Sequence, residues 1–128
     1  MVANVCKVLV VDDIKDVRDT LAGVLKDAGH SVKTAGSGQE AISVLMKEAF
    51  HFIVIDVRLR GHEDEDESGI ELAKTIRKNG VRSKIIFVTG KKVKGSHVES
   101  AIEYGVITYI EKEGGWMDSV RKIIEKYF

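Results

Sequence analysis

Short runs of β-branched and aromatic apolar residues alternate along this chain with longer stretches of helical period, and no other feature constrains its fold as tightly. The runs are Val8–Val11, Ser31–Ala35, Phe52–Val57, Ile85–Thr89 and Thr108–Ile110. Between them, apolar residues recur at the spacing that puts them on one side of a helix. Val17, Leu21, Val24, Leu25 and Ala28 form the first stripe, Ala41, Ile42, Leu45 and Ala49 the second, and Ile70, Ala73 and Ile76 the third. Val98, Ala101 and Ile102 form the fourth, and Met117, Val120 and Ile124 the last. Gly29 and Gly80 fall where a helix needs a left-handed terminating residue.

Strict strand–helix alternation predicts a parallel sheet covered by helices on both faces. The expected fold class is α/β, a doubly wound five-stranded parallel sheet in the flavodoxin-like order 2-1-3-4-5. The first, third and fourth runs are almost wholly apolar and suit central strands, whereas Lys33 and Thr34 mark the second as an edge. The 128 residues fit one domain, 1–128, with 44% apolar residues to fill its core. Charged residues balance to a net charge of zero, which argues against electrostatic binding of nucleic acid or an anionic membrane. No apolar run approaches the roughly 20 residues that span a bilayer, and the N-terminus lacks the layout of a secretory signal. A lone Cys6 forms no internal disulfide and suits a reducing, cytoplasmic setting.

Ligand chemistry in an open parallel sheet gathers beyond the carboxyl ends of the strands. There stand Asp12 and Asp13 after the first run, Asp56 at the end of Phe52-Ile-Val-Ile-Asp, Thr89 at the end of the fourth, and Lys112 just past the fifth. Carboxylates converging in one crevice repel unless a cation joins them, and an all-oxygen donor set suits Mg²⁺. Asp56 is the expected nucleophile, able to form an acyl phosphate. Thr89 and Lys112 would offset charge on the transferring oxygens. Taken singly, Asp13 equally fits an N-cap, Thr89 a strand-end hydroxyl and Lys112 a solvated lysine. Together, each at the correct end of its strand, they point to phosphoryl chemistry.

With these residues in place, the chain resembles the receiver domains of bacterial response regulators. The matching segments are VLVVDD at Val8–Asp13, IVIDVRL at Ile53–Leu59, SGIEL at Ser68–Leu72, IIFVTG at Ile85–Gly90 and YIEK at Tyr109–Lys112. The resemblance implies that Asp12, Asp13, Asp56 and the backbone carbonyl of Arg58 bind Mg²⁺. It implies that Asp56 accepts phosphate from a histidine kinase or phosphotransfer protein. Thr89 would contact the phosphoryl group, Lys112 would pair with it, and Tyr109 would be the aromatic switch that controls a downstream output protein or domain. Such a domain is a switch rather than an enzyme, catalysing only its own phosphorylation and dephosphorylation.

Two departures stand out. The chain has no proline, and Gly69 lies thirteen residues beyond Asp56, so the acidic run Gly61–Ser68 reads as an inserted, solvated loop. Glu113 follows Lys112 where the family usually has proline, so a trans bond and a reshaped loop are expected there. No output domain is recognisable, which fits either a stand-alone regulator or part of a longer protein.

Three other readings compete. A silent receiver-like interaction module would lack the acceptor or the acidic pair, and both are present. A flavodoxin-like cofactor binder needs a phosphate-cradling loop where Asp12 and Asp13 would repel phosphate. An aspartyl-phosphate phosphatase usually has a second Asp where Arg58 stands. His30, His51, His62 and His97 show no ligand spacing and read as surface residues. Lys91, Lys92 and Lys94 read as a solvated loop, and Tyr104 and Trp116 as packing around the last helices.

Overall fold

The computed structural model describes residues 6–59, 68–90 and 95–128. Its elements run β1 (Lys7–Val11), α1 (Lys15–Asp27), β2 (Ser31–Ala35), α2 (Gly38–Leu45), β3 (Phe52–Asp56), α3 (Ser68–Lys78), β4 (Lys84–Thr89), α4 (Gly95–Glu103), β5 (Val106–Glu111) and α5 (Trp116–Tyr127). The sheet has five strands in the order β2-β1-β3-β4-β5, all paired in parallel. Fold class, strand order and the edge position of β2 are as the alternation predicts.

Strand periodicity of two assigns successive residues to opposite faces. Val8, Val10, Phe52, Val54, Ile86 and Val88 pack with Leu21 and Leu25 of α1 and Val120 and Ile124 of α5. Leu9, Val11, Ile53, Ile55, Ile85 and Phe87 pack on the other face with Ala41 of α2 and Ile70, Leu72, Ala73 and Ile76 of α3. Each fully buried Leu, Ile or Phe contributes about 1.5–3 kcal/mol relative to exposure. The central β3 is buried along its whole length, whereas β5 is half-buried throughout.

Helix ends follow local chemistry. Gly29 and Gly80 adopt φ of 94° and 78°, the left-handed geometry expected after α1 and α3. Ser37 caps α2, its Oγ accepting the Glu40 N–H at 3.1 Å while the Glu40 carboxylate accepts the Gly36 N–H. Arg77 on α3 donates to the carbonyls of Val81, Ser83 and Tyr104, tying the end of α3 to the approach to β4 and the end of α4.

Several expectations are corrected. His30 is buried at 6% exposure, with Cys6 against its Nδ1 and the Glu125 carboxylate 3.5 Å from Nε2, because it closes the turn between α1 and β2 beneath α5. Ile102 is 78% exposed, whereas the adjacent Ala101 is buried. Ala49 lies past the end of α2, and Ser68 is a buried first residue of α3 rather than part of a solvated loop. His51 is exposed as expected. The remainder of the acidic run, His62, the side chains of Val98 and His97, and Lys91, Lys92 and Lys94 lie outside the described residues.

Candidate functional site

Parallel pairing of β1 with β3 aligns Val11 with Ile55, so the residues that follow each, Asp12 and Asp56, leave the sheet side by side. The Asp12 backbone N–H donates to the Ala35 carbonyl at 3.1 Å, extending the ladder by one residue. Its Oδ1 accepts the N–H of Ile14 at 2.9 Å, a side-chain turn that fixes the carboxylate and starts α1. Ile14, not Asp13, occupies the N-cap of α1, so the capping alternative for Asp13 is set aside. Carboxylate oxygens of Asp12, Asp13 and Asp56 lie within 4.8 Å of one another.

Asp56 is 1% exposed, at the floor of this crevice. Its Oδ1 accepts the Arg58 N–H at 3.0 Å, and its Oδ2 accepts from Lys112 Nζ at 3.2 Å. The same ammonium donates to Asp12 Oδ2 at 2.9 Å. The Lys112 backbone N–H donates to the Thr89 carbonyl at 2.7 Å, joining the ends of β4 and β5. The described residues contain no cis peptide bond, so the Lys112–Glu113 bond is trans as expected.

Thr89, buried at 1% exposure, follows the Val88 that pairs with Asp56. Tyr109 pairs with Phe87 across β4 and β5, two residues before Thr89, and packs half-buried on the face of α2 and α3. The Arg58 side chain is also buried. Ser68 Oγ accepts the Leu59 N–H at 2.9 Å and the Gly69 N–H donates to the Val57 carbonyl at 2.8 Å, docking α3 onto the end of β3.

Burial raises the Asp56 carboxyl above the ordinary carboxylate range; the Lys112 ammonium and the Arg58 N–H oppose that, and the neighbouring Asp12 adds to it. Burial alone would lower Lys112, but the carboxylates of Asp56 and Asp12 prevail and hold its ammonium up. Three converging carboxylates, all hard oxygen donors, suit a divalent cation such as Mg²⁺.

One neighbour escaped the sequence reading. The Trp116 ring lies under the Lys112 ammonium, 5.5 Å from Nζ to its centroid, besides packing on the α1 and α5 face as expected.

The profile of the response regulator receiver domain family matches residues 8–124. The chain belongs to this family. Receiver domains are signalling switches of two-component systems that bind Mg²⁺ at an acidic pocket and interact with histidine kinases and output domains. An NtrX-like response regulator of Rickettsia bellii is 31% identical over 105 residues, 82% of this receiver chain and 21% of that protein. The transcriptional regulatory protein DltR of Streptococcus agalactiae is 27% identical over 83% of the chain and 45% of its own length. The chain thus spans a fifth to under half of the length of these curated relatives. A CheY-like receiver domain protein from Methanospirillum hungatei superposes with TM-score 0.80 at 27% identity, over 96% of this chain and 94% of that one. TrrA from Thermotoga maritima, solved in complex with Mg²⁺ and BeF, gives 0.79 at 27% identity over 95% and 98%. Among the described residues, no helix is long and apolar enough to cross a membrane.

Proposed function

We propose that residues 1–128 act as one cytoplasmic receiver domain that takes a phosphoryl group on Asp56 and changes its partner binding in response. The observation that carries this reading is the Lys112 ammonium bound to both Asp12 and Asp56 inside a cluster of three carboxylates. The donor is a phosphohistidine on a histidine kinase or phosphotransfer protein. A carboxylate oxygen of Asp56 forms the new P–O bond as the P–N bond to imidazole breaks, and the leaving nitrogen keeps the bonding pair. Lys112 and the Thr89 hydroxyl pair with the phosphoryl oxygens, and the Arg58 N–H holds Asp56 in its attacking orientation. Asp12, Asp13, Asp56 and the Arg58 backbone carbonyl would hold Mg²⁺, which when bound neutralises charge on those oxygens.

Thr89, once drawn toward the phosphoryl group, frees space for Tyr109. The resulting shift in a two-state equilibrium changes affinity for a downstream output protein or domain. The protein catalyses only its own phosphorylation and dephosphorylation. Neither nucleic acid nor a membrane is a direct partner, in keeping with its zero net charge.

The test is intact-mass analysis after incubation with Mg²⁺ and a small phosphodonor. The natural chain is expected to gain a single hydroxylamine-labile phosphoryl group and Asp56→Asn none. Full labelling of Asp56→Asn would reassign the acceptor, and a natural chain that takes up nothing would favour the silent interaction module.

A further inference from the structure

Lysine is a compact charge on a flexible four-carbon stem, and the segment after Lys112 reads Glu113-Gly114-Gly115, without a ring-constrained residue. Such a segment does little by itself to fix where the ammonium lies. The Lys112 side chain is nevertheless only 14% exposed, so something outside its own backbone holds it. Two of its donors go to Asp12 and Asp56, and the Trp116 ring lies within cation–π range.

Local backbone geometry sets the ring there. The Glu113 N–H donates to the Glu111 carbonyl at 2.8 Å and the Trp116 N–H to the Glu113 carbonyl at 3.0 Å, so the chain doubles back twice within six residues. Gly115 has φ of 78°, a left-handed conformation that side-chain-bearing residues rarely adopt, and it is the N-cap of α5. This turn starts α5 with Trp116 folded back over Lys112, while its apolar body packs on the α1 and α5 face.

We infer that Trp116 is a positioning residue for phosphorylation, holding the Lys112 ammonium against Asp12 and Asp56. The inference rests on the phospho-acceptor reading for its kinetic consequence, but its geometric part stands apart. An aromatic face satisfies the ammonium electrostatically without offering a competing hydrogen-bond acceptor, so the donors stay directed at the carboxylates. No other tryptophan is present in the chain, so all of its tryptophan emission comes from the surroundings of Trp116.

The test compares the natural chain with Trp116→Phe and Trp116→Leu. Proton NMR of the Lys112 ε-methylene reads the contact directly: a ring below it moves those protons upfield. That shift is expected in the natural chain, smaller in Trp116→Phe and absent in Trp116→Leu. Phosphorylation by phosphoramidate at saturating Mg²⁺ should slow about threefold to tenfold in Trp116→Leu, the factor from losing a contact worth about 0.7–1.4 kcal/mol. Trp116→Phe should recover most of that rate, which a loss of bulk alone does not explain. Ordinary ε-methylene shifts in the natural chain, or an unchanged rate in Trp116→Leu, would overturn the inference. Should Trp116→Leu not fold, Trp116→Phe decides by its intermediate shift and rate, and natural values for both overturn it. A natural chain that accepts no phosphoryl group defeats the functional reading, and the ring-current shift still decides whether Trp116 holds Lys112.

Discussion

Gly69 stands hard against the backbone of Asp56. A Cβ built at Gly69 would run into the Asp56 carbonyl oxygen and lie 2.7 Å from the Cα of Val57, so the start of α3 docks on the end of β3 only because this residue has no side chain. Neither obstacle is a flexible side-chain tip. Gly69→Ala is therefore expected to cost about 1–3 kcal/mol, as overpacking does, and to lower Tm by roughly 3–15 °C. Calorimetry checks it; a natural Tm would mean that α3 can lift off Asp56 at little cost.

The raised Asp56 carboxyl has a stability consequence with a definite sign. The native state binds this proton more tightly than the unfolded chain, whose carboxyl titrates near the ordinary 3.8. Stability from this group is present below that value and is lost as pH rises through the folded one. Asp56→Asn, which keeps the shape and removes the charge, should raise Tm at pH 7 in the absence of divalent cations. Its advantage should shrink as pH falls and vanish below about the unfolded value. A lower Tm for Asp56→Asn than for the natural chain at pH 7, with the deficit fading as pH falls, would show that the Lys112 pair, not burial, dominates the site.

Thr89 and Tyr109 offer a test of the switch. Phe87 lies between them, paired with Tyr109 and two residues before Thr89 on the same face of β4. Thr89→Ala is expected to accept phosphate yet lose the coupled change around Tyr109. Natural NMR shift changes at Tyr109 in phosphorylated Thr89→Ala would remove Thr89 from the coupling.

Glu63, Asp64, Glu65, Asp66 and Glu67 put five negative charges in the segment joining β3 to α3. With screening over about 8 Å in physiological salt, neutralising them should weaken Mg²⁺ binding about twofold to threefold at low salt. It should also speed phosphorylation by a small anionic donor at saturating Mg²⁺, and both effects should fade in high salt. Mg²⁺ titration followed by Trp116 emission reads the first. Identical affinities at low salt would leave the segment either a solvated loop or one that only shapes contacts with its kinase.

The fold was legible because burial on both faces writes itself as continuous apolar runs, and Phe52–Asp56 carries that signal without interruption. Asp12, Asp56, Thr89 and Lys112 could be brought together on paper because strand order and parallel direction fix which ends are neighbours. What stayed hidden depends on three-dimensional turns. His30 is a polar residue in a helix–strand turn, and nothing local says that α5 closes over it. Ile102 and Ala101 are adjacent, and their order along the chain does not say that the smaller is the one buried. The meeting of Trp116 with Lys112 requires the left-handed Gly115, a conformation that a glycine permits but does not announce. Ser68 closes an acidic run by composition but opens α3 by its bond to Leu59.

The position of Lys112 between Asp12 and Asp56 also sets a rule of valence for the crevice. Three ionised carboxylates and one ammonium leave a surplus of two negative charges. A divalent cation cancels that surplus in full, whereas a monovalent one leaves half of it. An arriving phosphoryl group, itself an anion, thus meets either electroneutrality or a repelling field, and the lysine determines how much countercharge must come from outside.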